Sequence, residues 1–137
     1  MGLILDSSLL IAGERRGQHV WDILERVQAS QGETESVLSA VTVVELTHGI
    51  YRAKTEADRQ RRRNFVEELC KAITVQPLTL EIAQLAGRIE GEQAAKGVVI
   101  ALPDLLIGVT ALHLGYSVAT LNARHFRLIP GLSVVHL

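Results

Sequence analysis

Short apolar runs alternate with longer amphipathic segments along the whole chain, and this alternation constrains the fold more than any other feature. The apolar runs predict strands at residues 3–5, 36–41, 73–75, 116–120 and 133–136. Between them, the apolar spacing predicts helices from Ser7, over 18–30, 42–53, 56–72, 79–97 and 104–114, and a turn or short helix over 122–126. Each connection is long enough for parallel pairing of consecutive strands. We therefore predict an α/β fold, a three-layer α/β/α sandwich with a central, mostly parallel sheet.

The amount of apolar sequence is sufficient for one packed domain. Of the 137 residues, 47% are hydrophobic and 21% are charged, which excludes a disordered chain. No internal repeat, low-complexity tract or linker divides the sequence. We predict a single domain over residues 1–137.

The charge balance limits the kinds of partner. Fourteen basic and fifteen acidic residues leave a formal charge of −1, so any binding to nucleic acid requires a local patch or a metal site. The single cysteine, Cys70, has no partner for an internal disulfide, and we interpret it as a buried, small apolar residue. Because neither a basic leader nor a long apolar span follows Met1, we expect a cytoplasmic protein without membrane association.

Three acidic residues, far apart in sequence, share one local setting. Asp6, Glu45 and Asp104 each lie at or near the start of a predicted helix, and the first two closely follow a predicted strand. In a parallel sheet, such junctions lie at the edge formed by the carboxyl ends of the strands. Oxygen ligands without nearby cysteine or paired histidine favour Mg²⁺ or Mn²⁺. The pattern predicts an acidic pocket that holds a divalent metal.

Each acid also has a purely structural interpretation. Asp6 is a suitable cap for the helix that follows it. Thr42-Val43-Val44-Glu45 matches a capping box, in which Glu45 bonds back to the Thr42 amide. Asp104 complements the dipole of its helix. The joint case for a site is stronger, because Asp104 interrupts the apolar stretch 101–108, where an unpartnered charge is costly.

Four motifs in a fixed order extend this interpretation over nearly the whole chain. They are Leu5-Asp6-Ser7-Ser8, the segment 39–46 with Gly49 behind it, Pro103-Asp104-Leu105-Leu106-Ile107-Gly108, and the segment 120–126. Together they resemble the PIN-domain ribonucleases, and most closely the VapC-type toxins of toxin–antitoxin pairs. The resemblance implies a PIN-like fold.

The resemblance also assigns roles to single residues. It implies that Asp6, Glu45 and Asp104 are the catalytic acids and that Ser8 and Thr120 support them. The fourth acidic position of the family falls on Asn122, so the implied metal ligands are Asp6, Asp104 and Asn122. An amide oxygen can ligate a hard cation but carries no charge, and a second metal ion should therefore bind more weakly. His125, next to this motif, is expected at the surface, and His48 is expected to be a half-buried helix residue.

The activity that the resemblance implies is that of a Mg²⁺-dependent endoribonuclease, with Mn²⁺ as the other candidate ion. Such an enzyme hydrolyses RNA phosphodiester bonds and leaves 5′-phosphate and 3′-hydroxyl ends. As a toxin it would be a homodimer inhibited by a cognate antitoxin protein. Arg61, Arg62 and Arg63 either contact the RNA or the antitoxin, or form a solvated helix face.

Two other functions stay open at this point. A catalytically weak PIN-like module would bind RNA with or without Mg²⁺, with Asn122 marking the loss of a second metal. A receiver-like signalling domain also places acids at strand ends. Receivers, however, carry two acids early and a lysine on a late strand, and the region of Thr120 has no lysine.

Overall fold

The computed structural model of the protein describes residues 1–137, and its strands and helices follow one another in the predicted order. The strands are β1 (Gly2–Leu5), β2 (Glu35–Ser39), β3 (Thr74–Gln76), β4 (Ser117–Thr120) and β5 (Val134–His136). The helices are α1 (Ser7–Arg15), α2 (Val20–Gln31), α3 (Ala40–Tyr51), α4 (Glu56–Ala72), α5 (Leu80–Ala95), α6 (Leu102–Leu114) and α7 (Ala123–Phe126).

The five strands form one sheet in the order β3-β2-β1-β4-β5, and every neighbouring pair is parallel. β1 is the central strand, with Ile4 opposite Val37 of β2 and Val118 of β4. All four residues of β1 are buried, as expected for a strand covered on both faces. The prediction of an α/β/α sandwich is confirmed, and the predicted mostly parallel sheet is parallel throughout.

Helices cover both faces of the sheet and divide the apolar core into two clusters. Ile4, Val37 and Val118 point to one side, where they pack with apolar residues of α5, α6 and α7. Leu3, Leu5, Leu38 and Ala119 point to the other side, where they pack with α1, α2, α3 and α4. Neighbouring strand residues thus alternate between the two layers of helices.

The predicted boundary between β2 and α3 is wrong, and the true boundary decides the role of Glu45. β2 ends at Ser39 and α3 begins at Ala40, two residues before the predicted start at Thr42. The Ser39 hydroxyl caps the helix by accepting a hydrogen bond from the Val41 amide at 3.1 Å. Thr42 therefore lies inside the helix, and its hydroxyl is buried without a partner. The Thr42–Glu45 capping box does not form.

Exposure corrects two further predictions about α3 and α4. Cys70 is exposed rather than buried, because Leu69 occupies the apolar face of α4 and the next residue turns away from the sheet. His48 is likewise exposed rather than half-buried. None of the helices is long and apolar enough to cross a membrane.

Candidate active site

Asp6 lies at the carboxyl end of the central strand, in the middle of the sheet edge. Its amide donates to the Ala119 carbonyl at 3.0 Å, so the β1–β4 ladder holds its backbone in place. The side chain is only 3% exposed. Although Asp6 occupies the N-cap position of α1, its carboxylate accepts no capping hydrogen bond from a backbone amide of the helix. The interpretation of Asp6 as a helix cap is therefore wrong.

Two hydroxyl groups hold the Asp6 carboxylate instead. Ser8 Oγ and Thr120 Oγ1 each donate to Asp6 Oδ2, both at 2.8 Å. The hydroxyls are in turn positioned by backbone amides, since Leu121 N donates to Ser8 Oγ at 3.1 Å and Asn122 N donates to Thr120 Oγ1 at 2.9 Å. Asp6 Oδ1 has only a long contact with Ser7 Oγ, at 3.5 Å. The carboxylate is thus rigidly oriented, with one oxygen largely free.

Glu45 lies on the second turn of α3, and the structure gives it no structural task. Its Oε1 is buried without a hydrogen-bond partner. Burial raises the pKa of the Glu45 carboxyl, and the nearby negative charges of Asp6 and Asp104 raise it further, against an opposing effect of the Ser7 hydroxyl. A buried carboxylate oxygen that lacks a partner is costly, which points to a ligand or substrate that would satisfy it.

Asp104 lies in the first turn of α6, directly after Pro103, and reaches the same region. Burial raises the pKa of its carboxyl, and repulsion from Asp6 acts in the same direction, while His125 opposes the shift. The Nδ1 atom of His125 lies 3.5 Å from Asp104 Oδ2. Although half of the His125 side chain is exposed as predicted, its contact with Asp104 was missed. No motif signals this contact, because 21 residues separate the two side chains in sequence.

Asn122 completes the set of predicted site residues. It lies in the turn between β4 and α7, and its backbone amide bonds to the same Thr120 hydroxyl that holds Asp6. Its side chain is exposed and does not cap α7. The amide group is therefore free to act as a ligand at the rim of the site.

The donor set suits a hard divalent cation. Asp6, Glu45 and Asp104 repel one another, and no lysine or arginine forms an ion pair with them. The unpartnered Glu45 Oε1 offers a further oxygen. No three His, Cys, Asp or Glu side chains lie close enough to form a ready-made cage. This looser arrangement fits Mg²⁺, which is usually held by one or two carboxylates together with waters and substrate phosphates.

The predicted arginine cluster separates into three different environments. Arg61 forms ion pairs with Glu14 at 3.0 Å and Asp58 at 2.8 Å. Arg63 bonds to a neighbouring glutamine on its own helix. Only Arg62 reaches the groove beside Glu45, where its Nη1 donates to the Gly49 carbonyl at 2.7 Å. Of the three, Arg62 alone is placed next to the acids.

Fold and site together define a class: a parallel α/β/α protein with an acidic centre at the carboxyl edge of its sheet. The family model of the PIN domain matches residues 3–132. Ribonuclease VapC1 of Rickettsia felis is 31% identical over 137 residues, which cover 98% of this chain and 96% of that protein. The chain belongs to the PIN-domain family, among its VapC-type members.

Solved structures agree with this assignment. VapBC-1 from nontypeable Haemophilus influenzae superposes with a TM-score of 0.80 at 25% identity, covering 99% of this chain and 98% of that one. VapBC-5 from Mycobacterium tuberculosis, a member of the VapBC family of toxin–antitoxin systems, superposes with a TM-score of 0.78 at 20% identity, covering all of both chains. The resemblance found in the sequence is confirmed, and the receiver-like interpretation is wrong.

Proposed function

We propose that this protein is a VapC-type toxin that hydrolyses RNA internally with the help of Mg²⁺ or Mn²⁺, at a centre formed by Asp6, Glu45 and Asp104. Membership of the family gives the ribonuclease class. The observation that carries the assignment of the site is the approach of the acids at one sheet edge. There, burial and mutual repulsion raise the pKa values of Glu45 and Asp104. A site built to be this unfavourable without a cation is suited to binding one.

Asp6, Asp104 and Asn122 are the proposed ligands of the cation. When bound, a divalent cation makes water a stronger nucleophile and neutralises charge on the phosphate. Ser8 and Thr120 supply the second layer, because their hydroxyls hold Asp6 Oδ2 and leave Oδ1 with only a long contact to Ser7. Since Asn122 brings no charge, we expect a second cation to bind more weakly than the first.

Glu45 is the proposed acceptor of the proton from the attacking water. Its buried, unpartnered Oε1 can orient a water molecule and take up its proton. Attack of the water oxygen at phosphorus breaks the bond to the 3′ oxygen, so the products carry 5′-phosphate and 3′-hydroxyl ends.

The proposed partners follow from the same family. A nuclease of this kind endangers its own cell, and we propose that a cognate antitoxin protein covers the acidic pocket, as the VapBC toxin–antitoxin neighbours suggest. We further propose a homodimer that acts in the cytoplasm, where its RNA substrate is found.

The decisive experiment compares wild type with the variants Asp6→Asn and Asp104→Asn on total cellular RNA, with and without Mg²⁺. Cut ends are mapped by sequencing. We expect wild type to cut only with the cation, and each variant to lose more than the roughly 10–100-fold that removal of an outer-layer partner costs. Circular dichroism of the variants checks that the fold persists.

Two outcomes would contradict the proposal. Full Mg²⁺-dependent cleavage by a purified Asp6→Asn, Asp104→Asn double variant would remove these acids from the mechanism. Binding of RNA without any metal-dependent cleavage by wild type would favour the catalytically weak binding module instead.

A further inference from the structure

We propose that single-stranded RNA crosses the acidic centre between two cationic grooves, the first built around Arg15 and Arg52 and the second around Arg124 and Arg127. This inference rests on the proposed function and specifies how that site holds its substrate. Of the run of arginines in α4, only Arg62 lines either groove.

The first groove lies between α1, α3 and α4 and begins at the acidic centre. It has a volume of about 510 Å³, and Glu45 lines it together with Arg15, Arg52 and Arg62. Arg15 comes from the end of α1, and Arg52 directly follows α3. This groove is therefore lined by arginines that belong to or directly follow three different helices, and it ends at Glu45, a proposed catalytic acid.

The second groove lies on the other side of the centre, around α7 and the end of β5. It has a volume of about 410 Å³ and is lined by Asn122, Arg124, His125 and Arg127, with His136 at its far side. No acidic residue lines it. Because His125 also contacts Asp104, this groove too begins at the acidic centre.

No arginine of either groove forms an ion pair, whereas three of the six arginines outside the grooves do. Arg59, Arg61 and Arg88 each form an ion pair with a carboxylate within 3.4 Å. None of the groove arginines has a carboxylate within ion-pair distance. Unpaired guanidinium groups in a groove are ready to bind phosphate, which they match in charge and in hydrogen-bonding geometry.

The position of the grooves on opposite sides of the sheet sets the path of the substrate. The first groove lies over helices that cover one face of the sheet, and the second over α7, which packs on the other face. A strand of RNA that occupies both must cross the carboxyl edge at the acids. This arrangement presents a single phosphodiester bond to the centre while phosphates on either side are held by arginine.

The first test measures the salt dependence of RNA binding. Wild type, Arg15→Ala/Arg52→Ala and Arg124→Ala/Arg127→Ala are titrated with a fluorescent single-stranded RNA in EDTA, which prevents cleavage, at increasing KCl. Each lost phosphate contact should lower the slope of log K against log[salt] by about 0.7, so each double variant should lose about 1.4. The pair Lys71→Ala/Lys96→Ala removes two exposed cations outside both grooves and should leave the slope unchanged.

The second test asks whether the two grooves hold opposite sides of the cut. A substrate with one known cleavage site is prepared with an uncharged methylphosphonate either on the 5′ side or on the 3′ side. In wild type, the methylphosphonate should slow cleavage on either side. When the arginines of one groove are removed, a methylphosphonate on one side of the cut should cause no further slowing. Removal of the other groove's arginines should have this result for the opposite side. Coupling of both grooves to the same side would overturn the crossing path.

The outcomes separate this inference from the proposed function. If wild type neither binds nor cuts RNA, the function itself fails. If wild type cuts RNA but either groove variant keeps the wild-type slope and cleavage rate, the proposed function stands and the proposed path of the RNA through the two grooves is wrong. Unchanged RNA binding together with weakened binding of an acidic peptide would assign that groove to a protein partner, and would equally overturn the proposal.

Discussion

The carboxyl groups of Glu45 and Asp104 differ from ordinary surface acids because their surroundings disfavour the charged form. Burial and the neighbouring charges raise the pKa of both groups. Asp6 is more deeply buried, and the hydroxyls of Ser8 and Thr120 hold its carboxylate in place through hydrogen bonds to Oδ2. Within one site, the structure thus combines a carboxylate held by hydrogen bonds with two carboxyl groups whose surroundings disfavour the charged form.

Replacing Asp104 by asparagine should have opposite effects on activity and on stability. The change removes a charge that repels Asp6. Without cations, the free energy of unfolding of the variant should therefore equal that of wild type or exceed it by up to about 1 kcal/mol, a small gain because solvent partly screens the side chain. Saturating Mg²⁺ should raise the melting temperature of wild type but not that of the variant. Calorimetry measures both melting temperatures. An equal rise in the melting temperatures of the two proteins would show that Asp104 is not a ligand.

Thr120 tests whether the second layer around Asp6 matters. Thr120→Val keeps the shape of the side chain but removes the hydroxyl that bonds to Asp6 Oδ2 at 2.8 Å. We expect Mg²⁺ affinity or cleavage to fall by roughly 10–100-fold. Thr110→Val is the matched control, since its buried hydroxyl bonds only to the Leu106 carbonyl within α6. Equal activity of the two variants would contradict a role for Thr120.

At the scale of elements, the junction between β2 and α3 decides where Glu45 points. Ser39 rather than Thr42 caps α3, so Glu45 lies more than one turn inside the helix and is released from capping. The sequence around this junction fits both caps equally well. The earlier start coincides with the end of the strand ladder, since Ser39 pairs with Gln76, the last residue of β3.

The two hydroxyls at this junction should respond differently to removal. Ser39→Ala should destabilise the protein by about 1 kcal/mol, because the Val41 amide loses its acceptor. Thr42→Val removes a buried hydroxyl without a partner and should be neutral or stabilising by about 1 kcal/mol. Urea unfolding of both variants gives the comparison. If Thr42→Val were the less stable variant, the result would support the capping box from Thr42 to Glu45 instead.

At the scale of the whole molecule, the sheet separates two ends with different tasks. The acids lie at the carboxyl edge, and each cationic groove leads away from them. The end of α4, with the exposed Cys70, leads into the start of β3 at the opposite edge. A formal charge of −1 for the whole chain is therefore compatible with RNA binding, because five arginines line the two grooves next to the acids.

Cys70 offers a test of this separation. A thiol reagent should modify one thiol per native chain, since the sequence contains a single cysteine and its side chain is exposed. Partial burial raises the pKa of the thiol, so the reaction should be slower than with free cysteine at the same pH. Cleavage of RNA should be retained after modification. Loss of activity, or reaction only in denaturant, would contradict the placement of α4.

The sequence predicts the layered α/β fold, because strand–helix alternation depends on local periodicity. It also predicts that the acids share one sheet edge, because they lie at or near the starts of helices, two of them just after strands. It could not determine the contact of His125 with Asp104, the true cap of α3, or the exposure of Cys70. Its most prominent basic segment is Arg61–Arg63, whereas four of the five arginines that line the grooves lie elsewhere in the chain. These features depend on the approach of segments that are distant along the chain, and only tertiary packing brings them together.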